Sequence, residues 1–193
     1  MVKRLETLRQ IQQMETNRWE DAPGVVRESL QAVLSTLAEQ IHKTERLIRE
    51  HLHRHPALKE QADLLQSIPG IGAATAAVLL AELGDVARFA SAKQAVAFAG
   101  LCPRLCQSGS SVRGRERLCK QGRSRLRKAL YFPAMVALRH NPALRALQER
   151  LVANGKRPMV VLGAAMRKLL HLAFGVLKSK KPFDAVLACS AGS

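Results

Sequence analysis

Leu64-Leu65-Gln66-Ser67-Ile68-Pro69-Gly70-Ile71-Gly72-Ala73-Ala74-Thr75-Ala76-Ala77-Val78-Leu79-Leu80-Ala81-Glu82-Leu83-Gly84 decides how this chain is read. Apolar residues recur at helical spacing on both sides of Pro69-Gly70-Ile71-Gly72, and the two glycines permit a turn too tight for larger side chains. Two short helices around a tight turn follow. The same period runs through most of the chain, while the Val/Ile/Thr alternation that marks strands is scarce, so the fold class is all-α.

Working outward toward the N-terminus, His55-Pro56 breaks a helix and Ala57–Ser67 begins the next. Upstream, Leu30, Leu34, Leu37, Ile41, Thr44, Ile48 and His51 are spaced alternately by four and three residues, a coiled-coil-like seam on a helix from Val25 to His53. A helix from Val2 to Trp19 precedes it, and Pro23-Gly24 lets the two fold into a helical hairpin over residues 1–55. Such a seam is satisfied either inside the chain or by a second copy, and a homo-oligomer is the expected state. Toward the C-terminus, Ser91 with Gln94 reads as a capping box for a helix ending near Ala99. Gly100–Gln121 has little periodicity, several Gly and Ser, and dense Arg, the marks of a long functional loop. Helices Ser124–His140, Pro142–Ala153 (capped by Asn141, stopped at Asn154-Gly155) and Pro158–Leu177 complete a domain spanning 56–184, and residues 185–193 are a frayed tail.

The 193 residues are 47% hydrophobic, enough for a sizeable core. Apolar runs such as Ala73–Ala81 and Pro158–Met166 reach about half of the roughly 20 residues that span a bilayer, and Met1-Val2-Lys3-Arg4-Leu5-Glu6 opens a polar helix, so cytoplasmic location without membrane contact is expected. In that compartment Cys102, Cys106, Cys119 and Cys189 are reduced thiols. They lack the second close pair or His-x3-5-His of a zinc site, and His51, His53 and His55 would spread around a helix rather than converge on a metal.

Charge is the most informative quantity. The net +16 is confined to the second half: residues 1–68 hold ten basic and ten acidic side chains, residues 69–103 two and two, residues 104–138 nine and one, and residues 139–193 ten and two. A polyanionic partner is implied, and with 4% aromatic content and cations partly in a Gly/Ser-rich loop, nucleic acid fits better than a membrane surface. The Leu64–Gly84 segment resembles a helix-hairpin-helix, a DNA-holding motif in which Gly70 and Gly72 would let backbone N–H groups face a phosphate, with small residues Ala73, Ala74, Ala76 and Ala77 allowing close helix packing. An ordinary tight turn gives the same pattern. No Gly-Lys-Ser/Thr phosphate loop, Gly-x-Ser-x-Gly elbow or carboxylate cluster able to hold Mg²⁺ occurs in the basic half.

The order of Pro69-Gly70-Ile71-Gly72, Gly100-Leu101-Cys102-Pro103, Ser108-Gly109, Arg113-Gly114-Arg115, Lys120-Gln121-Gly122 and Leu126-Arg127-Lys128-Ala129-Leu130-Tyr131 resembles the transposase domain of the insertion-sequence family IS one-ten. Arg139-His140-Asn141-Pro142, Gly155-Lys156 and Met166-Arg167-Lys168-Leu169-Leu170 are similar to that family's closing helices, and Glu15-Thr16-Asn17-Arg18 to its helical connector, so the resemblance covers about residues 4–184. It implies an N-terminal RuvC-like domain with four acidic Mg²⁺ ligands, a C-terminal domain with a catalytic serine, and oligomers that recombine DNA under a guide RNA. Met1 stands at the connector, so the carboxylates and the Mg²⁺ are expected outside this chain, with no turnover from it alone.

The family's nucleophile falls on Ser108. Taken alone, Ser108 reads as a turn serine before Gly109, and Ser110 and Ser111 are neighbouring alternatives. Serine attack on a phosphodiester would conserve bond energy in a phosphoserine link, and nearby cations could neutralise the phosphate oxygens. The cations expected on DNA are Arg104, Arg113, Arg115, Arg117, Lys120, Arg123, Arg125, Arg127, Lys128, Arg167 and Lys168. Two rival readings stand beside this one: a non-catalytic helix-hairpin-helix DNA-binding module, and a structural oligomerisation module built on the seam.

Overall fold

A computed structural model describes residues 1–104, 107–108, 112–113, 117–119 and 121–190. It is all-α, as the periodicity predicts, and divides into two compact units, Met1–Lys59 and Glu60–Ser193. In the first unit α1 (Val2–Asp21) and α2 (Gly24–Arg54) pack on one another across the two-residue link Ala22-Pro23. The seam of α2 faces inward: Ile41 and Ile48 are buried, Leu30, Leu34, Leu37 and Thr44 are half-buried, and α1 contributes buried Leu5 and Leu8. Arg9 of α1 pairs with Glu45 of α2 at 2.6 Å. His51, at the end of the seam, is exposed.

The second unit holds α3 from Glu60 onward (the helix is Pro56–Gln66), α4 (Ala73–Leu83), a 3-10 turn (Val86–Arg88), α5 (Ala92–Ala99), α6 (Ser124–His140), α7 (Pro142–Ala153), α8 (Pro158–Ser179) and α9 (Ala185–Ser190). Helix α8 is the axis, packing against α5, α6 and α7. Leu162, Ala165, Leu169, Leu170, Ala173 and Leu177 are buried along it, against Leu126, Leu130 and Ala134 of α6 and Val96 of α5 in one cluster. Each buried Leu or Val stabilises the unit by about 1.5–3 kcal/mol relative to exposure. At 22 residues α8 is the one helix among the described residues long and apolar enough to cross a membrane by length and composition, but most of its apolar window lies inside the unit. Its apolarity is that of a core helix.

Helix ends follow the sequence closely. Ser91 accepts from the Gln94 N–H while the Gln94 side chain accepts from the Ala90 N–H. Asn141 caps α7 by accepting from the Ala143 N–H at 3.1 Å and, fully buried, donates to the Pro69 carbonyl at 3.5 Å. That second bond fixes the Pro-Gly-Ile-Gly turn to the α6–α7 corner. Part of the segment expected as a structureless loop is paired backbone: β1 (Pro103–Arg104) runs antiparallel to β4 (Arg117–Leu118), and β2 (Gln107–Ser108) to β3 (Val112–Arg113). These two-residue ladders extend a hairpin from the helical body and leave the class unchanged.

Candidate nucleic-acid interface at the base of the arginine-rich loop

The hairpin leaves α5 at Gly100 and returns at Gly122, and backbone contact locks the two ends together. Gly100 ends α5 in the left-handed region, and a Cβ there would stand 2.6 Å from the Gln121 carbonyl oxygen. Gly122, with φ +137°, lies so near α5 that a Cβ would meet the Phe98 carbonyl oxygen at 2.3 Å. Only glycine fits such approaches. The Arg123 N–H donates to the Phe98 carbonyl at 2.9 Å, and the Arg127 guanidinium donates to the Ala99 and Gly122 carbonyls at 3.0 and 3.4 Å. Beneath the hairpin, Leu118 lies over Gly163 of α8, where a Cβ would meet its Cδ1 at 3.4 Å.

Above this base, Ser108 stands opposite Val112 and Gln107 opposite Arg113. Arg104 stands opposite Arg117 in the register of the β1–β4 ladder, the one nearer the helical body. Arg115 and Lys120, like Ser110 and Ser111, lie outside the described residues.

The expected cations divide by role. Arg125 pairs with Glu82 of α4 at 2.8 Å, where the carboxylate is nearly buried, and Arg127 is committed to the loop base. Both are engaged within the second unit. Arg123 and Lys128 are exposed, and the Arg123 guanidinium lies over the Phe98 ring at 5.5 Å. Arg88, which sequence reasoning missed, stacks on Phe89 and Phe98 at 4.6 and 4.8 Å, so two guanidinium groups gather at one aromatic ring beside the loop. The only signal for it was an aromatic residue two positions before Gly100.

The N-terminus of α6 lies at the same place. It has no side-chain cap and no acidic residue in its first turn, yet Arg123, Arg125, Arg127 and Lys128 crowd it. Cations at the positive end of a helix dipole are unfavourable by about 0.3–1 kcal/mol each when exposed, and an anion there reverses the sign.

Arg167 of α8 acts electrostatically on Cys102 at the loop base and on His171. A cleft of about 760 Å³ continues from there, lined by Arg150, Arg167, Lys168, His171, Lys181 and Asp184 among others. Lys168 donates to the Ala188 carbonyl of α9 at 3.2 Å. Burial first, then Arg167, Lys168 and Lys93, push the His171 pKa below its usual 6.5, so the imidazole is neutral at neutral pH.

The Pro-Gly-Ile-Gly turn splits the two glycines expected on phosphate. Gly70, with φ +106°, sits against α6, where a Cβ would meet Ala137 Cβ at 2.6 Å. Gly72 is exposed at the N-cap of α4 with nothing within 4 Å. Ala76 and Ala77 are buried, Ala73 and Ala74 exposed, and α4 finds α6 as its packing partner. Among the described residues no group of three or more His, Cys, Asp or Glu converges as a metal site.

Residues 62–149 match the family described as Transposase IS116/IS110/IS902. The chain is 36% identical over 148 residues to the pilin gene-inverting protein of Moraxella bovis, covering 76% of this chain and 46% of that protein. It is 32% identical over 154 residues to the insertion element IS110 43.6 kDa protein of Streptomyces coelicolor, covering 80% and 37%. It is 38% identical over 102 residues to the transposase for insertion sequence element IS1328 of Yersinia enterocolitica, covering 52% and 28%. The chain thus spans less than half the length of these relatives. Residues 62–149 thus match a transposase-family domain of the IS116/IS110/IS902 type, in a chain homologous to insertion-element and gene-inversion proteins.

Proposed function

We propose that this chain is the DNA-binding C-terminal part of an insertion-sequence transposase and supplies Ser108 as the nucleophile of strand transfer. The observation that carries the reading is the uncapped, cation-crowded N-terminus of α6 at the root of the hairpin bearing Ser108. A DNA phosphate there would satisfy open backbone amides and neutralise Arg123 and Lys128 together. The homology to proteins named as transposases and a gene-inverting protein supports the same class of reaction.

In the proposed step the Ser108 hydroxyl oxygen bonds to phosphorus, the bond to one deoxyribose oxygen breaks, and that oxygen leaves with the proton the serine gives up. The phosphoserine link keeps the bond energy for rejoining, and guanidinium groups balance the charge developing on the phosphoryl oxygens. On this reading, and as the family resemblance implies, the Mg²⁺ chemistry belongs to a RuvC-like domain outside these residues. Guide RNA and self-association belong to the same reading, with the α1–α2 unit as the associating part.

The test has two arms. DNA binding by the chain should fall with salt at a log–log slope of about 5, as for roughly six neutralised phosphates, and Ser108→Ala should leave it within a few-fold because a hydroxyl contributes only about 1 kcal/mol to binding. In a protein joining this chain to a RuvC-like half, Ser108→Ala should abolish covalent protein–DNA adducts. A salt-independent affinity rejects the DNA reading, and adducts that persist or map to Ser110 or Ser111 reject the serine assignment.

A further inference from the structure

We propose that Cys102 and Cys119 are a dithiol that closes to a disulfide by exchange with a small-molecule disulfide of the glutathione class, tying together the two ends of the segment that carries Ser108. The β1–β4 ladder pairs Pro103 with Leu118 and Arg104 with Arg117. One step nearer the helical body, the same register sets Cys102 opposite Cys119, and the Cys119 N–H donates to the Cys102 carbonyl at 2.8 Å. Residues directly opposite in an antiparallel ladder have Cα atoms about 4.5–5.5 Å apart, inside the roughly 4.4–6.8 Å that a disulfide spans.

The side chains meet as well as the backbones. The Cys119 side chain is close enough to the Cys102 thiol to act on its protonation, and the Cys119 thiol donates to Gln121 Oε1 at 3.5 Å. Both cysteines are free and half-buried, so a small reagent has access to them. Burial, then the neighbouring Cys119 thiol, push the Cys102 pKa above its usual value, while Arg167 pulls the other way.

The exchange balances without a further oxidant. The Cys119 thiolate attacks one sulfur of oxidised glutathione, forming a mixed disulfide and releasing one glutathione thiolate. Cys102 then attacks the Cys119 sulfur and releases the second. Two protein thiols are oxidised, one glutathione disulfide is reduced to two thiols, and the two protons end on the released glutathione. The bridge does not depend on Ser108 being reactive, so its test stands apart from that of strand transfer.

The full 193-residue chain would be equilibrated in glutathione buffers of rising oxidised fraction, quenched with an alkylating reagent and mapped by mass spectrometry. The expected product is a Cys102–Cys119 linked peptide two hydrogens lighter than the reduced pair, with Cys106 and Cys189 still alkylated. Cys102→Ser and Cys102→Ala should each hold glutathione on Cys119 instead, and amide exchange at Cys119 should slow in the oxidised chain. A bridge that maps to Cys106 or Cys189, its loss in Cys106→Ser, or no bridge at any ratio at which the chain stays folded would overturn the pairing. Unchanged exchange at Cys119 would overturn the claim that the bond restrains the loop base.

Discussion

Among the described residues, replacing Gly122 by Ala should unfold the second unit more easily than any other single glycine-to-alanine change at an exposed turn. The added Cβ would stand 2.3 Å from the Phe98 carbonyl oxygen and 2.8 Å from the Gly100 nitrogen, both backbone atoms of the α5 end that cannot swing aside. Holding alanine at φ +137° adds backbone strain of about 1–3 kcal/mol. Relieving the contact separates the chain ends and breaks the Arg123-to-Phe98 hydrogen bond, about 1 kcal/mol more. The sum is on the order of 3 kcal/mol, or roughly 10 °C in the melting temperature of a unit this size. Gly155 is the control: its φ is +68° with nothing within 4 Å, so alanine there meets only the left-handed strain, about 1 kcal/mol. Circular dichroism would follow the melt, and emission from Trp19, the single tryptophan, would report the first unit separately. If Gly122→Ala costs no more than Gly155→Ala, the two ends of the hairpin are not held by backbone contact and the loop-base argument fails.

Leu37→Lys with Ile41→Lys should lower the mass in sedimentation if the seam joins copies, or reduce helicity if α1 alone covers it, and unchanged mass and helicity would reject both roles. Arg125→Ala leaves the nearly buried Glu82 carboxylate without its 2.8 Å partner and should cost about 2 kcal/mol in urea unfolding, discounted because the arginine is partly exposed; an effect confined to DNA affinity would contradict its structural role. For His171, whose folded pKa is depressed, protons bind the unfolded chain preferentially below about pH 6.5, so stability should rise with pH between the depressed value and that point. His171→Gln should flatten that slope, seen as a loss of pH dependence in denaturation midpoints.

Helices were legible because their signals are local. The 4-3 seam, the Ser91–Gln94 capping box, and Asn141-Pro142 before α7 each depend on residues within a few positions of one another, and each appears in the structure. The function of individual arginines was not legible, since charge counting treats Arg123, Arg125 and Arg127 alike. Their fates are set by distant partners: Arg125 meets Glu82 from α4, Arg127 meets the end of α5, and Arg123 lies over Phe98. The two glycines of the Pro-Gly-Ile-Gly turn diverge for the same reason. Gly70 is required by Ala137, sixty-seven positions on, whereas Gly72 opens to solvent. The paired backbone within 103–118 was hidden because two-residue ladders carry no period to read.

The division among the cations bears on how such a loop works. Were every arginine near Ser108 free, their mutual repulsion would favour splaying the loop until an anion arrived. Instead Arg125 is discharged against a carboxylate and Arg127 spends its donors on two carbonyls that belong to opposite ends of the hairpin. The hairpin root is therefore held before any ligand binds, while Arg123 and Lys128 keep charge exposed at an uncapped helix end. A phosphate arriving there meets a prearranged field, and the entropy of ordering the root has already been met by folding. It follows that Lys128→Ala should weaken DNA binding and lower its salt slope by about one without moving the melt, whereas Arg127→Ala should move the melt first and affinity only through it. If Arg127→Ala left the melt unchanged and lowered the salt slope as Lys128→Ala does, the root would owe its order to the ligand and this division of labour would be wrong.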